Sequence, residues 1–318
     1  MANSTSTSNV VSPLGFLLNP GRGQSGRKQL AYAPLALGLL TALCWGTADF
    51  VSRRQSSAVG PYKTALYVQG INLAMLLVLF PFLRPPVSVG ENQAVVLIAA
   101  GVLNFFSFVL LYRSLQAGPV SLVAPIAYTY PAVTSVLSVA ILGVSLGLVR
   151  GLAISGVVVG VVLLSTKFSE LGRTPKLASG IAPAVACSVS FGTIYLGMGY
   201  AAPTVGYFIP AVVLRAAGVG AGLLCAPLFG EGLKVAKGEV SKVVLAMGVL
   251  ETVGLLTFTY GISEGGVSIP IVAALSGMGG AFASGYAVLL LKERLEWNQV
   301  FGVVLSLMGV FFLLLLGA

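Results

Sequence analysis

The sequence contains no histidine, so imidazole acid–base catalysis, Ser-His-Asp triads and histidine-ligated metals are excluded at the outset. Charge is nearly as scarce: of 318 residues, 18 are Lys or Arg and 9 are Asp or Glu, 8% in all, against about a quarter in ordinary soluble domains. A globular chain of this length needs polar residues for its outside. With 57% hydrophobic residues and a mean hydropathy of +0.97, too few remain, and lipid must be the solvent for most of the chain. Cysteine is rare too. Cys44, Cys187 and Cys225 stand singly in apolar segments without CxxC or zinc-like spacing, and read as small hydrophobes, not redox or metal sites. The net charge of +9 comes from basic residues scattered between apolar runs, which suits charges flanking membrane surfaces and does not suit nucleic acid. The 40 glycines fit no phosphate-loop spacing, so no nucleotide and no other cofactor is expected. Small-xxx-small spacings such as Gly147/Gly151 and Gly156/Gly160 point instead to close helix packing.

Residues 1–30 form the one long polar stretch, rich in Ser, Asn, Thr and Gly with no acidic residue, and read as a disordered tail. They lack the order of regions that marks a secretory signal, while an acid-poor, Ser-rich start also fits an organelle transit peptide. From Tyr32 onward, apolar segments long enough to cross a hydrocarbon core alternate with short joints carrying Pro, Gly, Lys or Arg. Ten such segments are predicted, near 32–52, 62–83, 93–115, 119–142, 148–166, 178–200, 205–229, 241–262, 266–291 and 297–317. Continuous apolar runs without strand alternation predict helices.

Laying the second half over the first uncovers an internal repeat. Trp45-Gly46-Thr47 falls on Phe191-Gly192-Thr193 at a shift of 146, and Gly101-Val102-Leu103 on Gly248-Val249-Leu250 at 147. At 147 Gly118 also meets Gly265 and Val120-Ser121 meets Val267-Ser268; at 149 Gly160 meets Gly309. The chain divides into a tail (1–30), a first five-helix unit (31–166), a linker (167–177) and a second five-helix unit (178–318). Five is odd, so two such units in succession start on opposite sides of the membrane. The fold class expected is an all-α integral membrane protein of ten helices in two inverted repeats, an architecture that places a site at the unit interface near mid-membrane.

The 5+5 pattern, Trp45-Gly46-Thr47 and the stretch Leu291-Lys292-Glu293-Arg294-Leu295-Glu296-Trp297 before the last helix resemble the EamA family of the drug/metabolite transporter superfamily. The last stretch is similar to that family's Leu-Gly-Glu-x-Leu turn, with Lys292 in place of Gly; the first-half joint Leu142-Gly143-Val144-Ser145-Leu146 lacks the acid. The resemblance covers 31–318 and implies export or import of amino acids, nucleosides, sugars or other metabolites.

Ionisable residues at membrane depth are functional candidates by default. Arg215 lies mid-way along the seventh segment, about ten residues or 15 Å from either end, and Glu251 lies mid-way along the eighth. Arg215 aligns with Gln69 and Glu251 with Asn104, so the second unit carries charges where the first carries amides. Either Arg215 and Glu251 form an architectural ion pair, or Arg215 holds a substrate carboxylate or phosphate while Glu251 accepts a proton or a substrate cation. Asp49 also has two readings: solvated at the interface and paired with Arg53 one turn on, or lining a cavity as a second coupling candidate. Tyr128, Thr129 and Tyr130 lie between Pro125 and Pro131, which remove backbone donors and bend the fourth helix beside a candidate wall. The matching stretch Ser276-Gly277-Met278-Gly279-Gly280 permits close approach or bending. Trp45, Tyr195 and Tyr260 either stack on a substrate ring or pack on neighbours. The expected substrate-binding set is therefore Arg215, Glu251, Asn104, Gln69, Tyr128, Tyr130, Trp45 and Tyr195.

These features predict a secondary transporter of a small polar metabolite that works by alternating access in the cell membrane as a monomer or homodimer. The alternatives are an enzyme acting on lipid, disfavoured by nine acids and no nucleophile–base pair, and a non-transporting scaffold, which would need no charge at depth. Orientation is divided. A cytoplasmic N-terminus leaves Arg53, Arg54, Lys167, Lys176 and most other basic residues outside, against the positive-inside rule, whereas the family resemblance implies cytoplasmic termini.

Overall fold

The computed structural model describes residues 24–117, 126–166, 168–170, 177–232, 242–282, 285–286 and 296–316, and no strand occurs among them. Its principal helices are α1 (Gln24–Val59), α2 (Pro61–Leu83), α3 (Glu91–Ala117), α4 (Tyr130–Leu142), α5 (Gly147–Ser165), α6 (Leu177–Val205), α7 (Phe208–Cys225), α8 (Lys242–Ile262), α9 (Ser268–Ser276) and α10 (Trp297–Leu315). Seven helical stretches, in α1–α3 and α5–α8, are long and apolar enough to cross a membrane; Tyr130–Leu142, Ser268–Phe282 and Trp297–Leu313 are shorter apolar helices. The tail before residue 24, most of the 167–177 linker, Pro125, the Gly118-to-Ser121 stretch and the Leu291-to-Leu295 turn lie outside the described residues.

Chain punctuation explains the observed bounds. α1 runs well past the predicted 32–52, because the first breaker after its apolar run is Gly60, at a φ of 89° that other residues rarely adopt, followed by Pro61 at the start of α2. The fourth predicted segment is interrupted: residues 126 and 127 are helical, and α4 begins again at Tyr130. Tyr128 and Thr129 form a turn, held by the Thr129 N–H donating to the Ile126 carbonyl at 3.1 Å, and Pro131 has no N–H with which to continue a helix backwards. Its counterpart α9 stops at Ser276, and the chain turns through Gly277 and Met278 before helix resumes. The bends read from prolines on one side and glycines on the other are thus both breaks.

The two breaks touch. The Tyr130 and Ser276 hydroxyls are hydrogen-bonded at 2.9 Å, and a β-carbon added to Gly277 would lie 2.6 Å from Pro131 Cγ. At the shift of 147 set by Val120-Ser121 and Val267-Ser268, Tyr130 is the counterpart of Gly277, so both contacts join positions within one residue of repeat equivalence. Around this centre α3 packs on α6 and α7, α1 on α8 and α9, α4 on α6, and α5 on α10.

Glycine sets how closely two of these layers approach. At the α5–α10 crossing, a β-carbon on Gly160 would fall 2.5 Å from the Ser306 nitrogen and 2.8 Å from the Gly302 oxygen. On its repeat partner Gly309 it would fall 2.9 Å from the Val157 nitrogen and 2.6 Å from the Ala153 oxygen, the register equivalents of Ser306 and Gly302. Elsewhere the equivalence is uneven. At the α3–α7 crossing a β-carbon on Gly101 would lie 2.5 Å from the Leu214 carbonyl oxygen. At the corresponding α2–α8 crossing, one on Gly248 would lie 3.6 Å from that of Val68.

Candidate functional site

Membrane helices leave few places where a charge can sit, and those places converge here. A cavity is lined by Trp45 and Asp49 of α1, Asn104, Phe108 and Leu111 of α3, Ala127 and Tyr128 before α4, Tyr130 of α4, Phe191 and Tyr195 of α6, Leu214 and Arg215 of α7, and Glu251 and Leu255 of α8.

Arg215 is 2% exposed, too deep for its head to reach bulk water, so its charge must be met inside the protein. Its Nη1 donates to Asn104 Oδ1 at 2.8 Å and its Nη2 to Glu251 Oε2 at 3.3 Å. The guanidinium carbon lies 5.4 Å from the centre of the Phe108 ring, within cation–π range. Its Nε has no partner among the described residues, so the pairing seen uses only part of a five-donor group. Arg215 thereby ties α7 to both α3 and α8.

Asp49 joins the same cavity from α1. It accepts a hydrogen bond from the Tyr128 hydroxyl at 2.5 Å, across 79 positions of sequence, and is one of the residues that line the cavity. The side chains of Arg53 and Arg54, its expected interfacial partners, lie outside those described. With all three groups ionised the wall carries two negative charges and one positive, a net attraction for a cation in a medium where charges are weakly screened.

The rest of the wall is aromatic. Trp45 stacks on Tyr195 and on Phe258, with ring centres 5.5 Å apart in each case, and Tyr195 stacks on Phe191 at 5.9 Å. The Trp45 indole lies against Gly254, where a β-carbon would approach Nε1 to 2.5 Å, and its N–H has no partner. Tyr130 closes the group edge-on to Tyr195 at 5.1 Å. Tyr260 is 38% exposed and pairs with Tyr207, away from this group.

Of the residues singled out in the sequence, Arg215, Glu251, Asn104, Tyr128, Tyr130, Trp45, Tyr195 and Asp49 are brought to one cavity. Gln69 is not among its lining residues. It is fully buried on α2, with its Oε1 against Gly218 of α7. Phe108 and Phe191 were not anticipated; the one signal for Phe191 was its alignment with Trp45. Asn72, buried one turn from Gln69, also went unremarked, since its counterpart in the repeat is a glycine.

The sequence model of the EamA-like transporter family matches residues 33–166 and again residues 178–315. The chain belongs to this family. It is 26% identical over 288 residues to a protein of Archaeoglobus fulgidus described as an uncharacterized transporter, a match covering 88% of this chain and 98% of that one. A solved structure titled only as the crystal structure of a protein superposes with a TM-score of 0.71 at 19% identity, over 90% of this chain and 97% of the other, a likeness of fold. With its apolar helices, the chain is a multi-pass membrane transporter. The two matched segments are offset by the spacing that the internal repeat displays.

Proposed function

We propose that the transporter carries a small polar metabolite across the cell membrane by alternating access between two inverted five-helix units, 31–166 and 178–318. The observation that carries this reading is the meeting of Arg215, Glu251 and Asp49 in one aromatic-walled cavity. The anionic end of the substrate, a carboxylate or phosphate, engages Arg215 bidentately and displaces the longer Glu251 contact. A cationic end engages Asp49 beside Tyr128. Glu251, once released, takes a proton or faces the substrate cation, which makes it the coupling group. Trp45, Tyr195 and Tyr130 supply the apolar faces that enclose the middle of the molecule. The contacts of Tyr130 with Ser276 and of Gly277 with Pro131, each between positions within one residue of repeat equivalence, fit a pseudo-two-fold axis between the units.

A carrier fits better than an enzyme acting on lipid: Glu251 is held by Arg215 and Asp49 by Tyr128, and among the described residues no Ser, Thr or Cys is hydrogen-bonded to either carboxylate. A thermal-shift screen of the purified protein against amino acids, nucleosides, sugars and sugar phosphates tests the reading, followed by uptake of any stabilising compound into proteoliposomes. A stabilisation lost in Arg215→Gln is expected, because a ligand stabilises only the state it binds. Equal stabilisation of the variant contradicts the assignment.

A further inference from the structure

Gln69 and Asn72 occupy successive turns of α2, each fully buried, and none of their four amide nitrogen and oxygen atoms has a hydrogen-bond partner among the described residues. Two adjacent buried amides with all their groups unpaired are costly, and a structural role would be filled more stably by apolar side chains. Their positions in the repeat supply a reason for them. Gln69 is the register equivalent of Arg215 and Asn72 of Gly218, while Asn104 is equivalent to Glu251 and Gly101 to Gly248.

If the two units exchange conformations, every contact is replaced by the contact between equivalents. Arg215 now bonds Asn104 and Glu251; after exchange Gln69 lies against Glu251 and Asn104. Gly218 now sits against Gln69 Oε1 and the Gly101 carbonyl oxygen, 2.7 and 2.9 Å from an added β-carbon; after exchange Asn72 lies against Arg215 and the Gly248 carbonyl. Each unpaired group then meets a complementary one. Gln69 Nε2 donates to the Glu251 carboxylate, and Gln69 Oε1 accepts from the Asn104 amide. Asn72 Oδ1 accepts from the Arg215 guanidinium, and Asn72 Nδ2 donates to the Gly248 carbonyl. The looser α2–α8 crossing, relative to its α3–α7 equivalent, is the side that such an exchange would tighten.

We infer that Gln69 and Asn72 are positioning residues of the transport cycle, unpaired in the arrangement seen here and holding the opposite-facing one through Glu251, Asn104 and Arg215. This rests on the alternating-access reading above. It makes Gln69 a partner of the charged pair in the second state, with no contact to substrate required.

The test needs no substrate. In full-length protein with Cys44, Cys187 and Cys225 replaced by Ala, Ala127→Cys places a thiol on the cavity wall. Its reaction with a charged, membrane-impermeant methanethiosulfonate is measured from each face of membrane vesicles. The parent is expected to react from both faces. Adding Gln69→Met and Asn72→Leu is expected to slow reaction from one face about tenfold, the size of one lost charge-assisted hydrogen bond, with the other rate kept and thermal stability held or raised. Arg215→Gln, which gives both units the same amide, is expected to move the ratio of rates in the opposite direction. An unchanged ratio in the amide variants, with or without a loss of stability, overturns the assignment while leaving alternating access intact. Reaction of the parent from one face only overturns both.

Discussion

Two glycine crossings behave differently although the same repeat generates both. Where α5 meets α10, the contacts of Gly160 and Gly309 are near mirror images, each glycine pressed on the backbone of the other helix. Where α3 meets α7 and α2 meets α8, one crossing closes on the Leu214 carbonyl and its equivalent stands off from that of Val68. A contact that looks the same from both units cannot discriminate between two states that exchange them; a contact that differs must change. On the proposed exchange, the α5–α10 pair is the fixed part of the molecule, and the α2–α8 and α3–α7 pairs, which carry Arg215, Glu251, Gln69 and Asn104, are the moving part.

The largest perturbation removes the charge that joins the moving helices. Arg215→Met leaves Glu251 buried without its counter-ion and is expected to destabilise the protein by about 3–5 kcal/mol, whereas Arg215→Met/Glu251→Met recovers most of the loss; equilibrium unfolding in detergent measures both. Next in size is a strike at the fixed crossing. A β-carbon on Gly302 would land on the Leu164 nitrogen and the Gly160 oxygen, so Gly302→Val is expected to cost about 2–3 kcal/mol by overpacking, with the accessibility of the cavity from the two faces unchanged.

The third perturbation separates the two uneven crossings. Gly101→Ala meets the Leu214 backbone and the Ala217 side chain. Gly248→Ala added to an Ile71→Ala background places the same residues at the looser crossing, and the added glycine change is expected to cost about 1 kcal/mol less than Gly101→Ala in the same unfolding assay, since packing strain falls steeply with separation. Smallest is Tyr128→Phe, which removes one hydrogen bond to Asp49 and is expected to weaken binding of a cationic substrate by about 1 kcal/mol, read as a several-fold rise in Kd.

Much of this was legible in the chain. Continuous apolar runs bounded by Gly and Pro gave the helical spans, and the scarcity of charge left Arg215 and Glu251 conspicuous because each lies in the middle of a run. What the sequence could not supply was direction around a helix. Asp49 near the end of an apolar run is equally an interfacial and a cavity residue until Tyr128 arrives from another helix. Gln69, aligned with a cavity arginine, shares its register without sharing its wall, because in the arrangement seen its amide lies against Gly218 of α7. Asn72 left no trace, since a polar residue opposite a glycine matches nothing. The long α1 and the break before α4 depended on where helix termination signals actually took effect, at Gly60 and at Pro131, which apolarity alone does not mark.

The claim that the two uneven crossings exchange is open to one direct measurement. Leu83 with Tyr260, and Phe229 with Arg113, are equivalent exposed pairs at the ends of the α2–α8 and α7–α3 crossings. Spin labels on each pair, read by pulsed electron–electron double resonance in bilayers, are expected to give two distances in each sample, with the short population of one pair matching the long population of the other in abundance. A single distance in each sample, short for one pair and long for the other, would mean that the asymmetry is a fixed feature of the fold and would contradict the exchange.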